Sequence, residues 1–365
     1  MVRVAAVVEQ CWHKVPGGTA IATVGTLKVL AARDNLQLIG LSAKHKSLPS
    51  LALPPSLSVC ELPMPRRVLY DSWHYLRYPD VSQFAGEVDV VHSTGGVVPP
   101  KGNAALVVTV HDLAFLKQPA WFTRRGVRFA TKAFELAQAE ATLIIVPSQS
   151  TAQDCVDNGV PSQRIRVISW GVDMETATEV DVRVVRDRYG LPESFALWVG
   201  TAEPRKNLES LLAAVSRTET KPPLVLAGPL GWGLNLEELI EAYPVEVIRV
   251  GYVRENRDLA ALYAASKVFI YPSLMEGFGL PVLEAMTQGT PVITSSGTAT
   301  EEVCADASST VDPTDIEELA AAIDLIFTDD TEHARRSEVA RTRATQFSWA
   351  TTAKQVHSAY LEACC

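Results

Sequence analysis

The strongest constraint on this chain is a rhythm. Short, nearly continuous runs of Val, Ile, Leu and Ala alternate with stretches whose apolar residues recur at helical spacing, and the series runs through twice. In the first half the runs fall at 2–8, 36–41, 57–62, 88–92, 105–110, 142–146 and 166–168. In the second they fall at 196–200, 224–227, 246–250, 268–272, 291–294 and 309–311. Strands without polar alternation are buried on both faces, the pattern of parallel sheets clothed in helices. Between them, Leu208, Leu211, Leu212 and Val215 stand at i, i+3, i+4 and i+7 and predict a helix capped by Asn207. The series breaks around 170–184, at Gly171, Asp173 and a charged stretch. The expected architecture is α/β: two domains, 1–172 and 173–348, whose parallel sheets face a central cleft. Ligands in open α/β sheets bind at the carboxyl ends of the strands.

Composition removes several classes of function. With 47% hydrophobic and 21% charged residues the chain has enough apolar content to bury a core, so disorder is excluded as its main state. Its longest apolar runs are far shorter than the roughly 18–20 residues that span a bilayer. The first ten residues read as a strand, not as a secretory leader. The six cysteines are scattered without metal-ligand spacing, which predicts a reduced, cytoplasmic protein with no metal site. The terminal Cys364-Cys365 pair is not a CaaX box. The formal net charge of −9 argues against a general nucleic-acid binder. That charge is uneven: residues 1–172 hold 17 Lys and Arg against 12 Asp and Glu, net +5, whereas 173–365 hold 16 against 30, net −14. Either the basic half faces an anionic surface or substrate, or the charge has drifted between domains.

Four segments carry chemistry. In 271–295 a strand ends at Tyr271-Pro272, a loop carries Glu276, Gly277, Phe278 and Gly279, and Pro281 stands at the expected start of a helix that includes Glu284 in its first turn. Glycines before a helix N-terminus let backbone amides approach an anion, which the helix dipole favours. Carboxylates there need hydroxyl partners, so Glu284 suits a ribose and Glu276 a sugar; the alternative is a helix cap and a surface Glu. In 200–208, Arg205 and Lys206 at a strand-to-helix turn can neutralise a diphosphate, or form a solvated basic turn. In 107–113, an apolar strand ends in His111-Asp112, suited to substrate contact. Gly17-Gly18-Thr19 precedes a helix expected over about 21–32 and can present amides to a phosphate or acceptor.

Together these segments resemble glycosyltransferase family 4, retaining enzymes of the GT-B fold with two Rossmann-like domains. The E-x7-E motif of that family matches Glu276 to Glu284, and EPRKN at 203–207 looks like a mannosyltransferase-rich branch. The resemblance implies a nucleotide-sugar donor held by Lys206 and Arg205 at its diphosphate, Glu284 at its ribose and Glu276 at the transferred sugar. It places the backbone of Gly277, Phe278, Gly279 and Leu280 at phosphate and sugar, Tyr252 and Val253 at the base, His111 near the reacting carbon, and Gly18 near phosphate. Thr201 stands where many members have Arg, so Arg205 supplies the second cation, and Ala305 replaces a usual Gly. Asp112, a nucleophile or base by residue type, is assigned instead to structure or acceptor. The final helix, 349–365, is expected to cross back onto the first domain.

The implied reaction moves a hexose, of mannose or glucose type, from a nucleoside diphosphate sugar to a glycan or lipid-linked acceptor with retained configuration. No Asp-x-Asp motif occurs, which fits a metal-independent reaction without cofactor. A sugar-nucleotide epimerase and a non-catalytic sugar-nucleotide-binding protein are the alternatives. A peripheral contact at the inner face of a membrane is expected at 123–139. There Arg124, Arg125, Arg128 and Lys132 lie beside Val127, Phe129 and Phe134, or else form a solvated face.

Overall fold

Every run read as a strand forms one, with ends shifted by no more than two residues. The computed structural model describes residues 1–365, and the chain divides into two units: Met1–Gly171 with Ser348–Cys365, and Val172–Phe347.

The first unit contains β1 (Val2–Val7), β2 (Leu36–Ala43), β3 (Ser58–Leu62), β4 (Val90–Ser93), β5 (Ala105–Thr109), β6 (Leu143–Val146) and β7 (Ile165–Val167). They pair in the order β3-β2-β1-β4-β5-β6-β7, all parallel. The second contains β8 (Ala196–Val199), β9 (Leu224–Ala227), β10 (Val247–Gly251), β11 (Val268–Tyr271), β12 (Val292–Ser295) and β13 (Ser308–Val311). Their order is β10-β9-β8-β11-β12-β13, again all parallel. In each sheet the chain reverses its direction of travel across the sheet at one point, between β1 and β4 and between β8 and β11. At such a switch point the two adjacent loops part and leave a crevice at the carboxyl ends of the strands. The segments 204–206 and 273–279 follow β8 and β11 and so flank the second crevice.

The central strands of both sheets are apolar because helices cover both faces, whereas the edge strands β3, β7 and β10 carry Glu61, Arg166 and Arg249 and are partly exposed. Val7, Val91, Leu106 and Ile144 in the first unit, and Leu197, Val225, Phe269 and Ile293 in the second, are fully buried. Burial of such side chains is worth about 1.5–3 kcal/mol each. The closing helix Trp349–Ala363 packs against the first unit's helix Gly18–Leu30. Its Trp349 ring lies over Gly25, where a Cβ would stand 2.3 Å from the ring. Buried Tyr360 meets His92 Nδ1 through its hydroxyl at 2.7 Å.

Three local expectations need correction. The helix after Gly17-Gly18 spans Gly18–Leu30, starting earlier than 21 because Gly17 is already its extended N-cap. Asn207 precedes the helix Leu208–Arg217, but in a left-handed conformation (φ 55°) with no capping bond. Its amide instead donates to the carbonyls of Pro272 (3.1 Å) and Pro313 (2.7 Å), tying three strand ends together. In the helix Leu280–Thr287, Pro281 is the second residue and Glu284 the fifth, just beyond the first turn.

Candidate functional site

The second unit's crevice is built by loops laced across the switch point. The turn Pro204–Lys206 follows β8, and its Arg205 carbonyl accepts from Leu274 N (2.9 Å) in the loop after β11. Ala202 N donates to Pro229 O (3.1 Å), which seats Thr201 against the turn after β9. The helix Leu280–Thr287 enters from Gly279, at φ 100°, where an added Cβ would lie 2.5 Å from Thr300 Cγ2. Only glycine fits that left-handed close approach. The adjacent Phe278 side chain is buried and packs edge-on against Phe347, centroids 6.0 Å apart.

At the centre stands a buried charge cluster. Glu276 accepts from Lys206 Nζ through Oε1 (2.6 Å) and from Arg205 Nη1 through Oε2 (3.0 Å). Arg205 also donates to Glu203 Oε1 from Nη2 (2.9 Å) and Nε (3.2 Å), and to the Met275 carbonyl (3.2 Å). Lys206 donates to the Tyr271 hydroxyl, and its ammonium lies 4.7 Å from the centre of that ring. Glu203, Lys206 and Glu276 are 5%, 7% and 9% exposed, so two cations and two carboxylates balance almost without solvent. Burial pushes the Glu276 carboxyl up, but Arg205 and Lys206 outweigh it and hold it down at about 2. Burial lowers the Lys206 ammonium, against the opposing pull of Glu276. The cluster is therefore two fixed cations held ready by carboxylates. An arriving anion competes with Glu203 and Glu276 for Arg205.

Glu284 is different. It is half-buried and has no cation against it; its Oε2 accepts from the Tyr263 hydroxyl at 3.0 Å. Burial raises it to about 7, against the hydrogen bond from Tyr263 that pulls it down. Such a carboxylate gains when a ligand brings hydroxyl donors. At the carboxyl ends of β8, β9 and β10, Tyr252, 39% exposed, lines a cavity of about 510 Å³ with Trp198, Gly228, Pro229 and Arg249. Val253 follows Tyr252 and is half-buried.

In the first unit, the half-buried His111 follows β5. Its Nε2 lies 2.8 Å from the Thr94 carbonyl, which can only accept, so Nε2 carries the proton and Nδ1 is left as an acceptor. Burial lowers this imidazole, against the raising effects of the Thr94 carbonyl and Asp112, and keeps it neutral. Asp112 accepts from Ala114 N at 3.0 Å, which starts the short helix Ala114–Lys117. Gly18 is exposed at the first turn of its helix.

The sequence-derived residues Arg205, Lys206 and Glu276 thus converge on one cluster, and Thr201, Tyr252 and the 277–280 loop lie at the same end of the second sheet. Sequence reasoning missed Glu203, Tyr271 and Tyr263. Glu203 and Tyr271 stand inside segments already singled out, where a carboxylate beside two cations and a hydroxyl closing an apolar strand were the available signals. Tyr263 had none, because only the fold brings it to Glu284. The basic helix also needs correction. In Arg124–Glu140, Phe134 is buried, and Phe129 stacks on Tyr70 and His74 with centroids 5.4 and 4.6 Å away. Its aromatics pack against the protein, while Arg124, Arg125, Arg128, Glu135 and Ala139 are exposed, with Arg125 paired to Asp71 at 3.5 Å. No helix is long and apolar enough to cross a membrane.

Two parallel Rossmann-like sheets give the GT-B fold, with a cationic crevice at the carboxyl edge of the second. The family model for glycosyltransferase family 4 matches residues 16–176, and that for group 1 glycosyl transferases matches 186–343. The chain is 34% identical to the O-antigen chain mannosyltransferase B of Escherichia coli over 265 residues, 70% of this chain and 69% of that one. It is 33% identical to the serotype-specific mannosyltransferase WbdA of the same species over 240 residues, 62% of this chain but only 29% of WbdA. Anabaena HepE, solved with UDP and glucose, superposes with a TM-score of 0.76 at 18% identity, covering 99% of this chain and 100% of that one. The chain belongs to glycosyltransferase family 4 and is a glycosyltransferase.

Proposed function

We propose that this enzyme transfers a hexose, mannose in the first instance, from a nucleoside diphosphate sugar to a hydroxyl of a glycan or lipid-linked acceptor, with retention at the anomeric carbon. The observation that carries the reading is the pairing of two environments in the second unit. Arg205 and Lys206 are desolvated cations held in place, suited to a diphosphate. Glu284, without a cation, is suited to the hydroxyls of a ribose, and the cavity beside Tyr252 has room for a base. The likeness to the O-antigen chain mannosyltransferase B and to the serotype-specific mannosyltransferase WbdA favours mannose. Group transfer is favoured over the epimerase and binding-only alternatives by the same relatives.

In this scheme the bond from the anomeric carbon to the β-phosphate oxygen breaks and its electron pair stays on the phosphate. Arg205, Lys206 and the amides of the 277–280 loop take up that charge, a role that elsewhere falls to a divalent ion. The acceptor oxygen attacks from the face the phosphate leaves, and its proton passes to the departing phosphate oxygen, so no separate base is needed. Neutral His111, with Nδ1 as an acceptor, is assigned to a hydroxyl of the transferred sugar. Glu276 meets the sugar only where it gives up part of its bonding to Arg205 or Lys206. Arg124, Arg125 and Arg128 are assigned to an anionic membrane surface or to phosphate on the acceptor.

The test is a donor panel. GDP-mannose, UDP-glucose and related donors are incubated with candidate acceptors, and released nucleoside diphosphate and the anomeric configuration of the product are measured. Acceptor-dependent release with an α-linked product from an α-linked donor is expected. Sugar isomerisation without an acceptor would instead establish the epimerase.

A further inference from the structure

Beneath the helix Arg124–Glu140 the first unit holds an open slot of about 190 Å³. Its walls are largely hydrocarbon, with Val108 and Val110 on the β5 side and Phe129, Ala130 and Ala133 on the helix side. The polar side chains that reach it are Thr19, Thr109, His111 and Asp112, so the slot is apolar in its body and polar where β5 ends. The slot is open to solvent at one side, and its volume is worth about six waters. Apolar cavities of about 150 Å³ stay dry and take a benzene ring. The helix wall is held in place: Phe129 is stacked on Tyr70 and His74, and Phe134 and Ala137 are buried. Closing the slot by collapse would break that stacking.

We propose that this slot binds an apolar group of the acceptor, an alkyl chain or aromatic ring carried next to the hydroxyl that receives the sugar. The enzyme then selects amphiphilic acceptors over free sugars. The inference rests on the proposed role of His111 near the reacting carbon, because His111 lines the slot's polar end. Each buried methylene adds to affinity, so the length of the apolar group is what the site reads.

The experiment is equilibrium binding of octyl α-mannoside, below its micellar concentration, and of methyl α-mannoside to the intact protein. Wild type is expected to bind the octyl glycoside at least tenfold more tightly. Ala130→Phe and Ala133→Leu fill the slot from the helix side, and each should cut that advantage below threefold while leaving binding of a nucleoside diphosphate sugar unchanged. An equal affinity of wild type for both glycosides overturns the proposal, as does an octyl advantage that survives in both filled, folded variants. Should either variant fail to fold, the wild-type comparison and the other variant still decide. Loss of donor binding in wild type would speak against the transferase site and leave the slot result standing.

Discussion

Lowering the pH from 8 to 6 should weaken binding of an intact nucleoside diphosphate sugar about tenfold, through Glu284. Burial places this carboxyl at about 7 in the free protein. At pH 8 about ten molecules in eleven carry it ionised, and at pH 6 about one in eleven, from the ordinary titration relation. In the proposed assignment ribose hydroxyls donate to the ionised form, so at pH 6 binding would first have to expel a proton, at about 1.4 kcal/mol, a factor of ten. An intact sugar diphosphate is the proper ligand, because its diphosphate does not titrate in this range. Calorimetric titration at constant ionic strength reads the effect. Glu284→Gln keeps an acceptor oxygen but cannot ionise, so its affinity should be lower and flat between pH 6 and 8. Hydrogen bonds to a charged group are worth about 1.5–3 kcal/mol each, so Glu284→Ala should lose at least tenfold at pH 8. A wild-type affinity that does not change with pH, or a slope that persists in Glu284→Gln, refutes the assignment.

The same group fixes a sign for stability: its folded pKa is raised above the ordinary 4.5, so the folded protein holds a proton the unfolded chain releases. That contribution is present below pH 4.5 and lost as pH rises through about 7, and denaturant titrations of wild type against Glu284→Gln should show it. Glu276 is opposite: held at about 2, it contributes stability above 4.5 that disappears as pH falls toward 2. Lys206→Ala leaves Glu276 with Arg205 alone; breaking a buried pair costs about 3–5 kcal/mol, and the surviving Arg205 contact puts the expected loss near the lower end, with donor binding strongly weakened. Urea unfolding and calorimetry check both parts. Gly279→Ala must take φ 100° and push against Thr300, so a destabilisation of about 1–3 kcal/mol by thermal unfolding and weaker donor binding are expected. His111→Ala should depress turnover at saturating donor while leaving nucleoside diphosphate affinity within about threefold; an unchanged turnover would remove His111 from the reaction.

Much of the fold was legible because parallel strands buried on both faces leave apolar runs that no surface element imitates. Leu224–Ala227 ends at the residues the pattern gave it. Starts of helices were less legible. Gly17 serves as an extended N-cap without any side-chain bond, a role no side-chain signal announces. Asn207 looks like a cap but spends its amide on Pro272 and Pro313, carbonyls far away in sequence. In the site, neighbours such as Arg205 and Lys206 could be read as a pair. Their partner Glu276 lies about seventy positions on, so the contacts of both its oxygens with the cations are visible only in the fold. For 123–139 the residue types leave open a membrane contact or a solvated face; packing turns Phe129 and Phe134 inward and leaves the arginines exposed, an orientation set by contacts with Tyr70 and His74 that the local sequence does not show.

The most direct measurement is a structure of the enzyme with a bound nucleoside diphosphate sugar. The expected result has the diphosphate within hydrogen-bonding distance of Arg205 and Lys206 and both ribose hydroxyls on Glu284, with the base beside Tyr252. Donor density elsewhere, with the Arg205–Lys206–Glu276 cluster untouched and Glu284 bonded only to Tyr263, would contradict it.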